Sequence, residues 1–246
     1  MADLKGPAVY TIPPTRAFAD ALVAGLIAQH GRDPLALGSG MILVPNNRAG
    51  QALREAFVRQ SEKGLLLPRL VAIGDGELDE KAGSAFDPID ESPFPPAIEP
   101  LHRQLLLAQL IQQERGVDGI EAMRLAVDLG RVLDQLAIEE VPPSRLAELD
   151  LSGELSNHWT SSLNHLRAIL ELWPRELERR GCIDLADRRN RLLRRVAERW
   201  KARPPAGFVV AAGVSTGAPA VAELLGCVAR MSCGQVVLAG LDCDIP

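Results

Sequence analysis

Aromatic residues are scarce in this chain: one tyrosine, five phenylalanines and three tryptophans make up 4% of 246 residues. A surface of stacked rings for holding single-stranded bases is therefore not expected. The four cysteines, Cys182, Cys227, Cys233 and Cys243, have no CxxC spacing. They predict reduced thiols, not a disulfide framework or a metal site. No apolar run approaches the ~20 residues that span a bilayer. The N-terminus, with Asp3 and Lys5, lacks the core of a signal peptide. An excess of positive charge is missing as well. The net charge of −5 argues against a wholesale electrostatic binder of nucleic acid, though not against a local basic patch. A soluble, cytoplasmic protein is expected.

What is present is ordinary for a globular chain, 47% hydrophobic and 24% charged, and long enough for one large domain or two small ones. The pattern changes three times along the sequence. Residues 1–80 read as strand, helix, strand, helix, strand. "GMILVP", Gly40 to Pro45, is a continuous apolar run of the kind a strand buried on both faces needs. The helix after it, from Arg48 to Glu62, places Ala52, Leu53, Ala56 and Phe57 on one face. In "LLLPRLVAIGDG", Pro68 argues against a central strand.

From Asp75 to Pro100 there are eight acidic residues against one lysine, with five prolines from Pro88 onward. That composition reads as an exposed connector, centred on 81–100. Residues 101–203 read as helical. Leu105, Ala108, Leu110 and Ile111 begin one helix, and Leu125, Leu129, Val132, Leu133 and Leu136 line another. Trp159, Leu163, Leu166, Leu170, Trp173 and Leu177 line a third, and Leu185, Leu192, Val196 and Trp200 a fourth. Residues 204–246 return to strand ("GFVVAAG"), helix ("APAVAELLGCVARM") and strand ("GQVVLAGLD"). The chain stops four residues after that last segment, which reads as a truncated domain. One parallel sheet assembled from both ends, with a helical domain inserted, is the predicted α/β architecture.

"VYTIPPTRAFADALVAGL", Val9 to Leu26, has the strand–turn–helix form of a phosphate loop. "MILVPNNRAGQALREAF" looks like motif Ia of superfamily 1 helicases, and "GFVVAAGVSTGAPAVAELLGCV" takes the place of the DExx box. "QVVLAGLDCDIP" resembles the strand of motif III. Together with "LPRLVAIGDGELDE" and "PPAIEPLHRQLLLAQLI", these segments resemble the start of AddB, as found in alphaproteobacterial AddAB helicase–nucleases. The resemblance covers essentially the whole chain and rests on the order of the segments, not on a diagnostic catalytic signature.

It implies a RecA-like domain, an inserted 1B-like helical domain, a role in double-strand-break repair, and an AddA-type motor subunit and DNA as partners. The family's nuclease and iron–sulfur cysteines lie near its C-terminus, so the four cysteines here are not those.

The departures from the pattern are as informative. A phosphate loop needs glycines for close backbone approach, a lysine on the phosphates and a Ser/Thr on Mg²⁺. Here the turn is Pro13-Pro14-Thr15-Arg16, and proline has no N–H to donate. Ala211 and Ala212 stand where the resemblance would place the Mg²⁺-binding Asp and the catalytic Glu. No catalytic residue, no metal site and no cofactor are expected in this segment.

Several binding candidates are left. Asn46-Asn47-Arg48 follows a strand at its carboxyl end, where open α/β sheets meet ligands. In the helicases this turn touches single-stranded DNA, while an asparagine there equally caps the helix, and both roles can hold together. Arg175 to Arg203 holds eleven basic and five acidic residues, and Arg188, Arg191, Arg195 and Arg199 fall on one helical stripe. That stripe reads as a phosphate track, a face for the partner subunit, or a solvated face with counter-charges. His30, His102, His158 and His165 are too scattered for a metal set. A competing reading makes the chain a Rossmann-like enzyme domain that holds a nucleotide cofactor on the Gly213–Gly217 loop, with Asp242 to meet a ribose.

Overall fold

The computed structural model describes residues 6–61, 64–74, 94–142, 145 and 157–241, with the backbone alone for 34 and 157–164. The acidic stretch 75–93, Asp242, Cys243 and the side chains of His158, Trp159 and Leu163 lie outside the described residues. In chain order the elements are β1 (Val9–Ile12), α1 (Phe18–His30), α2 (Pro34–Gly38), β2 (Met41–Val44), α3 (Asn47–Gln60) and β3 (Arg69–Ala72). They continue with α4 (Pro100–Arg115), α5 (Gly119–Ile138), α6 (Asn157–Arg179) and α7 (Leu185–Ala202). Then come β4 (Val209–Ala212), α8 (Pro219–Arg230) and β5 (Gly234–Ala239). The chain divides into two compact units, one made of residues 1–91 and 192–246 and the other of 92–191.

The first unit holds a five-stranded sheet in the order β1-β5-β4-β2-β3, every pair parallel. The apolar runs Met41–Val44 and Val209–Ala212 are the inner strands, buried at all four positions, because an inner strand of a parallel sheet is covered on both faces. They pair directly, Ile42 opposite Val210, so strands from the two ends of the chain share one sheet. The strand β3 takes an edge, and Pro68 precedes it without interrupting the ladder.

Alternation sorts the sheet's side chains. Ile42, Val44, Val210, Ala212 and Val237 pack with Leu22, Val23 and Leu26 of α1, Leu37 of α2, and Leu53, Ala56 and Phe57 of α3. Each fully buried leucine or phenylalanine there contributes about 1.5–3 kcal/mol. Ala52, expected on the buried face of α3, is exposed. The helix α8 packs on β4 and β5, and its buried residues stand apart from that cluster. The chain steps one way from β1 through β2 to β3 and the opposite way from β4 to β5. With right-handed crossovers, α1 and α3 cover one face and α8 the other.

In the helical unit, Leu106, Leu107, Ala108 and Ile111 of α4 pack with Ala122, Ala126, Leu129 and Leu133 of α5 and Ile169, Leu170, Trp173 and Leu177 of α6. Glu99 caps α4 by accepting the His102 N–H at 2.8 Å, and Pro100 follows at the first turn, where its missing N–H costs nothing. The helix ends at Gly116, whose φ of 63° suits a residue without Cβ. Asp118 then caps α5 through the Glu121 N–H at 2.9 Å. Val132, expected in the core, is 43% exposed. Among the described residues no helix is long and apolar enough to cross a membrane.

A buried polar centre ties this unit together. Arg103 donates through Nε to Asp184 at 2.7 Å and pairs with Asp134 at 2.9 Å. The Trp173 indole donates to the other Asp184 oxygen at 2.7 Å. Burial pushes the Asp184 carboxyl up, against the pull of Arg103 and Trp173.

Candidate nucleic-acid interface at the carboxyl ends of the strands

Because every strand runs the same way, all five carboxyl ends share one edge of the sheet. The β4 exit leads to α8 on one face and the neighbouring β2 exit to α3 on the other. Such a divergence marks the point where open α/β sheets receive ligands.

The turn after β1 is tight. The Arg16 N–H donates to the Pro13 carbonyl at 3.1 Å, and α1 begins at Phe18. Pro14, Thr15 and Arg16 are exposed, and Pro13 is half-buried. No side chain caps α1 at Ala17. The space towards β4 is filled by Phe18. A Cβ at Gly213 would sit 3.3 Å from the Phe18 ring, and Gly213 has a φ of 65°. Only glycine fits that combination comfortably.

Ala211 and Ala212 are 0% and 1% exposed. Both belong to β4 and alternate between its faces, with Ala212 in the cluster beneath α1. Neither alanine carries a group that could bind a metal ion or a phosphate.

The Gly213–Gly217 loop is engaged locally. Val214 is 3% exposed, and the Thr216 hydroxyl accepts the Ala218 N–H at 3.2 Å. Nothing lies within 4 Å of a Cβ placed on Gly217, so no close backbone approach calls for glycine there.

Asn46 caps α3, its side-chain oxygen accepting the Ala49 N–H at 2.8 Å. This is the capping geometry its position predicts. Asn47 and Arg48 open the helix and are exposed. Neither Arg16 nor Arg48 forms an ion pair among the described residues. The described loops at this edge (13–17, 45–48, 73–74, 213–218 and 240–241) carry these two arginines and no carboxylate. The amino ends of α1, α3 and α8 point the same way and add partial positive charge. Among its described residues the edge carries net positive charge.

The arginine stripe on α7 is corrected by the structure. Arg188 is buried, 6% exposed, and its Nε has no hydrogen-bond partner among the described residues. Arg191 is held by Asp187 through two hydrogen bonds of 3.0 and 2.8 Å. Arg195 is half-buried and Arg199 exposed, and each has an interaction of its own. Arg194 and Lys201 converge on Glu223 of α8 at 3.3 and 2.9 Å. An uncompensated, outward-facing row of four cations is therefore not present. Counting residues at helical spacing reveals a shared face but not whether acidic neighbours neutralise it.

The remaining candidates are spread over both units. His30 stacks on Phe208 with ring centroids 4.1 Å apart, and burial lowers its pKa. His102 is exposed and His165 half-buried. No group of three metal-ligating side chains comes together among the described residues. Cys182, Cys227 and Cys233 are free thiols.

Phe18 was not among the sequence candidates. Its signal was available in its position as the first helical residue after the turn, where a phosphate loop would carry polar groups. Fold and edge together define an all-parallel α/β protein accompanied by a helical unit. No protein-family model matches the chain, and no curated protein matches it either.

Proposed function

We propose that this chain is a non-catalytic, helicase-like module that guides single-stranded DNA and works beside an AddA-type motor subunit in double-strand-break repair. The observation that carries this reading is the sheet's carboxyl edge. There Phe18 packs against Gly213, and Ala211 and Ala212 are buried without carboxylates, which supports an edge without a nucleotide site. Arg16 and Arg48, neither in an ion pair among the described residues, give its described loops two cationic side chains. A polyanion without a bound triphosphate suits such an edge, since phosphate contacts require cations and exposed donors, not a glycine cradle.

The parallel sheet built from both ends of the chain supports a RecA-like domain, and the intervening helical unit supports a 1B-like insertion. Strand order weighs against the Rossmann-like alternative. In that fold the first and second strands are neighbours, whereas here β5 and β4 lie between β1 and β2. The local bond of Thr216 and the open space at Gly217 give that alternative no phosphate cradle either.

Parallel titrations of the full chain with a fluorescent oligothymidylate, with ATP–Mg²⁺ and with an NAD(P)H analogue test the reading. Saturable binding of the oligonucleotide alone is the expected result. Saturable micromolar binding of either nucleotide would overturn it.

A further inference from the structure

The second half of α7 and the helix α8 meet along a seam in the first unit. The Cys227 thiol of α8 donates to the Ala197 carbonyl of α7 at 3.4 Å, and Lys201 of α7 pairs with Glu223 of α8 at 2.9 Å. A cavity of about 530 Å³ opens at the end of this seam, within the size range of ligand sites. Pro204, which leads towards β4, and Ser232, which leads into β5, also line it. The cavity therefore lies towards the amino ends of those strands, opposite the edge that carries Arg16 and Arg48.

Its floor and its rim differ in chemistry. Trp200, Cys227 and Met231 are 5%, 5% and 9% exposed and supply an apolar floor. Lys201, Arg230 and Ser232 are exposed and stand at the rim. Burial pushes the Cys227 thiol up, and the Lys201 and Arg230 charges pull against it, so both cations stand beside the floor. The cavity has one carboxylate, Glu223, and Arg194 shares it at 3.3 Å. Arg230 forms no ion pair among the described residues, and its Nη1 donates to the Gly226 carbonyl of its own helix at 2.8 Å. The chain holds 32 acidic residues against 27 basic ones, yet no described carboxylate reaches this guanidinium.

We infer that this cavity is a docking site for an acidic segment of a partner protein that carries one aromatic or branched apolar side chain. The Arg230 fork suits two-point hydrogen bonding to a carboxylate. Lys201 can turn to a second one without stranding Glu223, because Arg194 stays on it. The Ser232 hydroxyl supplies a further donor, and the apolar side chain covers Trp200, Cys227 and Met231. Nucleic acid fits less well. A phosphate backbone needs a run of cations, and Trp200 is too deeply buried to offer a ring face to a base. The site is independent of the proposed function, which rests on the opposite edge of the sheet.

The test titrates the full chain with a fluorescein-labelled peptide of four aspartates and a phenylalanine, followed by fluorescence anisotropy. Two control peptides replace the aspartates with asparagine or the phenylalanine with alanine. The expected result is saturable binding of the first peptide at micromolar concentration and about tenfold weaker binding of each control. Arg230→Gln should also weaken the first peptide about tenfold, with the thermal melt and the oligothymidylate affinity unchanged. No saturable binding of the first peptide would overturn the docking site and leave the proposed function standing. So would equal binding of the three peptides, or an unaltered peptide affinity in the Arg230→Gln variant. Displacement of the peptide by oligothymidylate, with DNA affinity lowered in the variant, would make the cavity part of a nucleic-acid path and overturn the inference as well.

Discussion

The Phe18 ring packs against Gly213, across the gap between the first turn of α1 and the carboxyl end of β4. Removing the ring alone creates no phosphate site, because the turn before it offers Pro13 and Pro14 in place of N–H donors. Phe18→Ala is expected to cost about 2 kcal/mol in unfolding free energy for lost burial and to leave ATP–Mg²⁺ binding undetectable. Urea denaturation and a nucleotide titration of the variant check both parts.

Asn46 has two roles that substitution separates. Its side chain caps α3, and it also stands on the proposed DNA edge. Asn46→Ala is expected to lose about 1 kcal/mol of stability. Asn46→Asp keeps a good cap but adds a negative charge to the edge. It should melt within a degree or two of the unaltered chain yet bind oligothymidylate several-fold more weakly. Equal DNA affinity for the two proteins would remove Asn46 from the interface.

The Asp184 carboxylate serves both Arg103 and the Trp173 indole within the helical unit. Asp184→Ala leaves a buried guanidinium short of a partner and an indole N–H without an acceptor. A loss of about 3 kcal/mol is expected, against a smaller loss for Asp184→Asn, whose carbonyl still accepts from Trp173. Chemical denaturation of both variants, followed by tryptophan fluorescence, distinguishes the two. Because burial raises this carboxyl's pKa, its contribution to stability is greatest in acid and declines as pH rises through the folded value.

His30 behaves in the opposite sense. Burial holds its folded pKa below the ordinary 6.5, so the unfolded chain takes up its proton first as pH falls. Its contribution is flat above that value and turns destabilising below it. His30→Gln should therefore flatten the fall in stability between pH 7.5 and about 5. An identical fall in the variant would show that other groups set it.

Much of the fold was legible because its signals are local. "MILV" and "VVAA" are continuous apolar runs, and only a strand covered on both faces uses such runs at that length. Asn46 and the Pro100 start of α4 follow from capping rules. The short α2 (Pro34–Gly38) was missed because five residues carry no periodicity. The exposure of Val132 and Leu105, the burial of Arg188 and the pairing of Arg191 with Asp187 depend on what packs against each helix. Spacing along one helix does not encode that. The edge itself was half legible: the turn chemistry of Pro13-Pro14 was plain, but Phe18 on Gly213 joins residues 195 positions apart (213 − 18).

The salt dependence of oligothymidylate binding tests the guiding role of the carboxyl edge most directly. It is to be measured for the unaltered chain and for Arg16→Gln/Arg48→Gln. Each phosphate contact on a single strand contributes about 0.7 to the slope of log affinity against log salt. With both arginines on phosphates, the double variant should bind more weakly and lose about 1.4 from that slope, with no preference among base sequences. An unchanged slope and affinity in a correctly folded double variant would contradict a DNA path along the carboxyl ends of the strands.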